Sequence, residues 1–338
     1  MAMVAIAAAI ALTSLIACSA PLVAPVPNGP ATVTAVPTAP ATVTPVASAS
    51  PTVTAVAEDA VLVGAGDISG CTWSEDEATA ALLDTLFPTG VGTAAGTVFT
   101  TGDNVYPRGT ADQFSRCYAP AWGRHLERTR PAPGNHDYDT AGGKPYYDYF
   151  GEKAGPSGLG YYSYDLGNWH VISLNSNVDA GADSDQAQWL RNDLSGLNPA
   201  GCLLAYWHHP VFSSGDFHGN NPHMAGLVQV LYDAGVDVVL NGHEHIYERF
   251  GPQDPSGVAD PGRGFRQFTV GTGGAPLTEI VAIKPNSEVR NTDTYGVLKL
   301  TLRATSYHWE FLPIAGQTFS DSGDSDCNAA PATRPAGR

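Results

Sequence analysis

At 338 residues, with 43 % hydrophobic side chains, the chain is long enough for one large domain or two ordinary ones and apolar enough for a sizeable core. Its 17 basic against 33 acidic side chains leave a formal net charge of −16, which argues against a nucleic-acid or anionic-membrane surface, since both need basic patches. The acidity fits a soluble, extracytoplasmic protein.

Residues 1–18, MAMVAIAAAIALTSLIAC, form an apolar run ending in small residues, as in an export signal, although the usual positive leader is missing. Leu15, Ile16, Ala17 and Cys18 resemble the bacterial lipobox, in which the cysteine becomes the lipidated first residue of the mature protein. Plain secretion and a retained anchor are the alternatives, the run being about 17 residues against the ~20 of a membrane span. Residues 19–57 consist mostly of Pro, Ala, Thr, Val and Ser and repeat themselves, as PATVTAV, PATVTPV and PTVTAV. With no aromatic residue and no periodic apolar face, this stretch is expected to be an extended, disordered tether that holds the body off the membrane.

From residue 58 the composition becomes globular. Short β-type runs (AVLVGAG from 60, TVFTTGD from 97, WHVISLN from 169, LLAYWH from 203, VDVVLNG from 236) are separated by helical patterns. One helix is expected in DSDQAQWLRNDL, with an Asp or Ser as cap. Another is expected over 222–234, where Met224, Leu227, Val228 and Leu231 follow the i, i+3, i+4, i+7 spacing. The later runs RQFTVGTGG, TYGVLKLTLR and TSYHWEFLPI have little helix between them and suggest antiparallel strands. The economical reading is one mixed α/β domain over 58–328, followed by a loose tail, 329–338. Setting Cys18 aside, Cys71, Cys117, Cys202 and Cys327 make an even number suited to two disulfides. Three connectivities are open, Cys71 with Cys117 and Cys202 with Cys327 being favoured; free buried thiols are the alternative, and no C-x-x-C spacing supports a thiolate metal site.

Potential metal ligands recur where the apolar strands end: GD at 66, GDNVY at 102, GNHD at 134, WHHP at 207 and GHEH at 242. Ligand crevices in open α/β sheets lie beyond the carboxyl ends of the strands, so these loops can converge. Each block alone has an ordinary explanation as a helix cap, a turn or a packed histidine. All five in order, each with a Gly or Pro that permits a tight turn, are hard to explain as turns.

On these blocks the sequence resembles the calcineurin-like metallophosphoesterase superfamily and, within it, the purple acid phosphatase branch. That branch carries GDxG-like, GDxxY, GNH(E/D), strand-terminal His and GHxH blocks, which here read GDIS, GDNVY, GNHD, the His of YWHHPVF and GHEH. The resemblance runs over roughly 60–250. It implies a four-layer α/β/β/α sandwich of two mixed sheets with a dinuclear metal site at the strand ends. It also implies that Asp67, Asp103, Tyr106 and His245 bind one metal, and that Asp103 bridges to a second held by Asn135, His208 and His243. Two carboxylates and a phenolate suit Fe(III), while two imidazoles and an amide oxygen suit divalent Zn, Fe or Mn. Many superfamily members have D-x-H in the first block; Ser69 stands there instead, and Tyr106 supplies the missing donor. GDIS also departs from the plant GDxG, so plant substrate preferences do not transfer.

The implied activity is hydrolysis of small phosphate monoesters. His136 is expected to protonate or stabilise the leaving group, or else to orient a ligand. Asn135, His218 and His223 are expected to face phosphate, the two histidines having an exposed-loop role as the alternative. His125, His170 and His209 read as structural, and GTGGAP from 271 as a backbone turn near the pocket rather than a P-loop. A phosphodiesterase or nucleotide-directed enzyme with the same site, and a surface-tethered phosphate- or metal-binding protein without turnover, are the rival readings. The only membrane contact expected is through the lipid anchor.

Overall fold

The computed structural model describes residues 59–88, 96–197, 201–215 and 218–329. The expected signal segment with Cys18, the tether 19–57 and the tail beyond 329 lie outside the described residues. Among those described, no helix is long and apolar enough to cross a membrane.

Two mixed sheets carry the chain. The six-stranded sheet runs, in spatial order, Ser322–Asp326, Ser306–Pro313, Gly296–Leu302, Ala60–Ala65, Thr97–Thr100 and Thr129–Pro131. Its first four strands pair antiparallel and its last three parallel. The seven-stranded sheet runs Ser287–Asn291, Tyr247–Phe250, Arg266–Val270, Val238–Asn241, Cys202–Tyr206, Trp169–Ser173 and Tyr162–Leu166. Its centre is parallel and its edges antiparallel.

Alternation of side chains along the central strands explains why they read as unbroken apolar runs. Val171, Leu204, Tyr206, Val238 and Leu240 face a core shared with Leu62, Val98 and Leu300 of the other sheet. Ile172, Leu203, Ala205 and Val239 face away and are covered by Leu190 and Leu194 of the helix Asp185–Ser195 and by Leu227 and Leu231 of the helix Ala225–Asp233. The helix Glu75–Leu86 contributes Ala80 and Leu83 to the first core. The result is the layered α/β sandwich that the sequence led us to expect.

The cap of the 185–195 helix is Ser184, whose hydroxyl accepts from the Ala187 amide at 3.1 Å. The helix expected over 222–234 begins with a tighter turn, Pro222–Met224, and becomes α-helical at Ala225. Disulfides join Cys71 to Cys117 and Cys202 to Cys327, the favoured pairing. Several elements were not anticipated, among them the helix Glu75–Leu86 and the edge strand Ser322–Asp326, whose sequence SGDSD has no apolar residue.

One buried ion pair secures the strand that leaves the GHEH loop. Arg249 Nε donates to Asp321 Oδ2 at 2.7 Å, and Tyr247 Oη and Trp309 Nε1 donate to the same oxygen at 2.7 and 3.2 Å. Removing one partner of a buried pair leaves the other desolvated and uncompensated. Asp321→Ala is therefore expected to lower unfolding stability by about 3 kcal/mol in chemical denaturation with the disulfides intact. A loss below about 1 kcal/mol, the range of exposed pairs, would show the pair to be dispensable.

Candidate metal centre

The strands Ala60–Ala65, Thr97–Thr100 and Thr129–Pro131 run parallel, and so do Cys202–Tyr206 and Val238–Asn241. The five blocks follow their carboxyl ends. Asp67, Asp103 and His243 have φ of 58°, 49° and 71°, a left-handed conformation that non-glycine residues seldom adopt. Contacts between loops hold them there: Asp67 N donates to Gly102 O at 3.0 Å, His136 N to Asp103 Oδ1 at 2.8 Å and His243 N to Asp67 Oδ2 at 2.8 Å. Crowding explains the glycines of the blocks. A β-carbon on Gly134 would land on the Asp103 carboxylate, and one on Gly242 would lie 2.6 Å from Asp67 Oδ2.

With one oxygen of each aspartate engaged by backbone, the remaining donor atoms fall into two groups that meet at Asp103 Oδ2. On one side Tyr106 Oη lies 3.0 Å from Asp103 Oδ2, 3.0 Å from Asp67 Oδ1 and 3.1 Å from His245 Nε2. On the other, His208 Nε2 lies 3.3 Å from Asp103 Oδ2, 3.0 Å from Asn135 Oδ1 and 3.1 Å from His243 Nδ1. The structure thus brings together all the side chains singled out as ligands. All the oxygen donors follow strands of the six-stranded sheet, and all the nitrogen donors follow strands of the seven-stranded one.

The protons available do not satisfy these atoms. His208 Nδ1 and His245 Nδ1 each donate to a carbonyl, Thr101 O and Pro276 O, at 2.8 Å, so that each ring, when neutral, directs its Nε2 lone pair into the cluster. Tyr106 has one hydroxyl hydrogen for two carboxylates. Burial, then the Asp103 and Asp67 charges, push the Tyr106 phenol well above its ordinary value, so ionising it requires a cation. Burial alone would raise the Asp103 carboxyl, yet the adjacent His208 holds it below the usual carboxylate range. His208 is disfavoured as a cation by burial, but Asp103 carries it up to about 9, so a proton at Nε2 stands where a metal ion would. A buried cluster rich in lone pairs and poor in protons fits two cations.

A cavity of about 300 Å³ opens on this cluster, lined by Trp73, Asp103, Tyr106, His136, His218, His243, His245, Pro276 and Thr278. His136 Nδ1 donates to Pro107 O at 2.7 Å, and its Nε2 lies 4.0 Å from Asp103 Oδ2. The His218 ring stacks on His243 with centroids 3.7 Å apart, and burial pulls its pKa down. His223 is not brought to the cavity; its Nε2 is engaged by Val178 O at 2.8 Å. His209 Nδ1 pairs with Ser176 Oγ at 2.7 Å while its ring packs 4.2 Å from His243, and burial followed by the His208 charge depresses it to about 3. His125 pairs with Asp84, and His170 with Asp165 and Asp193, away from the site. GTGGAP turns along the first block, with Gly273 N and Ala275 N donating to Gly66 O and Asp67 O.

Two buried carboxylates had gone unassigned. Asp137 accepts from Asn104 Nδ2 and Gly134 N, both at 2.9 Å, and so clamps the GDN loop to the GNH loop. Burial and the nearby Asp103 push it up to about 7. Glu244 accepts from the His218 and Gly219 amides and thereby fixes the loop that carries His218. Both residues sit inside the blocks, where a third acidic side chain among ligands was the available signal.

A model of the calcineurin-like phosphoesterase family matches residues 59–247. Purple acid phosphatase 18 of Arabidopsis thaliana is 34 % identical over 132 residues, covering 36 % of this chain and 29 % of that protein. Purple acid phosphatase 21 of the same plant is 33 % identical over 184 residues, covering 48 % and 41 %. The chain therefore matches well under half the length of these relatives. Among solved structures, purple acid phosphatase PPD1 from yellow lupin aligns with a TM-score of 0.63 at 19 % identity, covering 80 % of this chain and 54 % of that one. GAP50, the anchor in the inner membrane complex of Plasmodium, aligns at 0.58 and 12 %, covering 82 % and 90 %; both likenesses concern the fold. Since the matched stretch takes up more than half of the sequence and runs from before Asp67 to beyond His245, the chain belongs to the calcineurin-like phosphoesterase family.

Proposed function

We propose that this chain hydrolyses phosphate monoesters at a dinuclear metal centre of the purple acid phosphatase kind. The observation that carries this reading is the pair of donor groups meeting at Asp103 Oδ2, open to a cavity with His136 on its wall. Asp67, Asp103, Tyr106 and His245 would hold a hard trivalent ion such as Fe(III), and Asp103, Asn135, His208 and His243 a divalent Zn, Fe or Mn. When bound, such a pair activates water and neutralises phosphoryl charge.

The side chains do the rest. Asn135 turns its carbonyl toward His208, and its amide would donate to a phosphoryl oxygen. His136, fixed by Pro107 O through Nδ1, presents Nε2 to the cavity and delivers a proton to the departing ester oxygen. His218, held over His243 by the Glu244 brace, adds a donor for phosphate. Export under the 1–18 signal, lipidation of Cys18 and the 19–57 tether would place this chemistry outside the cytoplasm, on the 58–328 domain ahead of a loose 329–338 tail.

Asp103→Ala is expected to reduce bound metal below two ions per chain and to cut kcat by more than about a hundredfold, beyond the effect of losing a group that merely orients a ligand. Turnover near that of the parent, in a preparation of verified metal content, would rule out the dinuclear reading. Tyr106→Phe should abolish the visible phenolate-to-Fe(III) charge-transfer band and weaken iron retention, with the far-UV circular dichroism unchanged. A variant that kept its colour would place the phenolate elsewhere. Cys18→Ser should move the protein from membranes to the medium, and equal membrane association of both forms would exclude the lipid anchor.

A further inference from the structure

The wall of the cavity beside Tyr106 is aromatic, and it is built in. Ser69–Gly70 pairs in parallel with Val105–Tyr106, which sets Gly70 opposite Tyr106. The next residue, Cys71, is bonded to Cys117, so the turn that carries Trp73 is tied down where it leaves this pairing. Trp73 N donates to Gly70 O at 3.0 Å, and its indole lies so close on Gly70 that a β-carbon there would collide with the ring. The indole and the Tyr106 ring are tilted at 56° with centroids 5.1 Å apart. Trp73 is half-buried and lines the cavity together with Pro276 and Thr278.

We propose that Trp73 is a specificity-determining residue that selects phosphate monoesters whose leaving group is a planar aromatic ring borne on the ester oxygen. The inference rests on the phosphohydrolase reading of the same site. The tryptophan adjoins Tyr106, so a ring attached directly to the ester oxygen lies within reach of its face. A cavity of about 300 Å³ is at the lower end of ligand clefts, enough for a phosphoryl group and one ring system. Among the described residues that line it there is no Lys or Arg to pair with a second or third phosphate. An aliphatic leaving group would gain only apolar contact with Trp73 and Pro276, whereas an aromatic one adds stacking.

The test is calorimetric binding of inert phosphonates to the metal-loaded full chain, which needs no turnover. Phenylphosphonate should bind about tenfold more tightly than methylphosphonate, the size of one good aromatic contact with its buried area. Trp73→Leu, which keeps apolar bulk without the aromatic face, should bring that ratio close to one, and Trp73→Phe should restore most of it. Inorganic phosphate should bind all three proteins equally. An unchanged ratio in Trp73→Leu would overturn the inference while leaving the phosphohydrolase reading intact. So would a nucleoside phosphonate whose binding depends on Trp73 when that of phenylphosphonate does not, since the preferred ring would then stand a sugar away. Failure of the metal-loaded parent to bind inorganic phosphate would overturn both.

Discussion

A buried carboxylate oxygen, Asp103 Oδ2, has a phenol oxygen 3.0 Å away on one side and an imidazole nitrogen 3.3 Å away on the other. Taking such groups out of water is costly unless charge is balanced, and here the lone pairs outnumber the protons. Much of the surrounding architecture serves this convergence. The left-handed backbone at Asp67, Asp103 and His243 turns three side chains inward at once, and the glycines before Asn135 and His243 let neighbouring loops approach to within contact of a carboxylate. Local strain of this kind persists only where the structure around it over-determines the conformation.

That over-determination comes from groups that never face the cavity. Asp137 joins two loops of the six-stranded sheet, and Glu244 joins two loops of the seven-stranded one. The Arg249 and Asp321 pair then fixes the strand that follows His245, so the outermost of the nitrogen donors leaves the site along a rigid path. Positioning and chemistry are thus divided between carboxylates by what each one touches.

The blocks were legible in sequence because metal chemistry demands particular donor types, and the tight approach of the loops demands glycine beside them. The central strands were legible because burial on both faces makes them apolar throughout. Other features were hidden for physical reasons. Ser322–Asp326 is a strand only because the polar backbone of Ser306–Pro313 offers hydrogen bonds to it. Glu75–Leu86 buries mainly Thr79, Ala80 and Leu83, a face too slight to stand out. Trp73 reaches the cavity through a two-residue parallel pairing and a disulfide spanning 46 positions, neither of which leaves a periodic trace. His223 has the composition of a loop ligand, yet a backbone carbonyl takes its ring nitrogen.

The division of donors by sheet has a mechanical consequence. With oxygens following one sheet and nitrogens the other, any ion shared by both sets acts as a clasp across the seam of the sandwich. Metal occupancy and the alignment of the two halves then become a single equilibrium: whatever loosens the seam raises the escape of the ion, and whatever binds the ion stiffens the seam. A packing change in the shared core, far from any donor atom, would be felt first as a change in metal affinity.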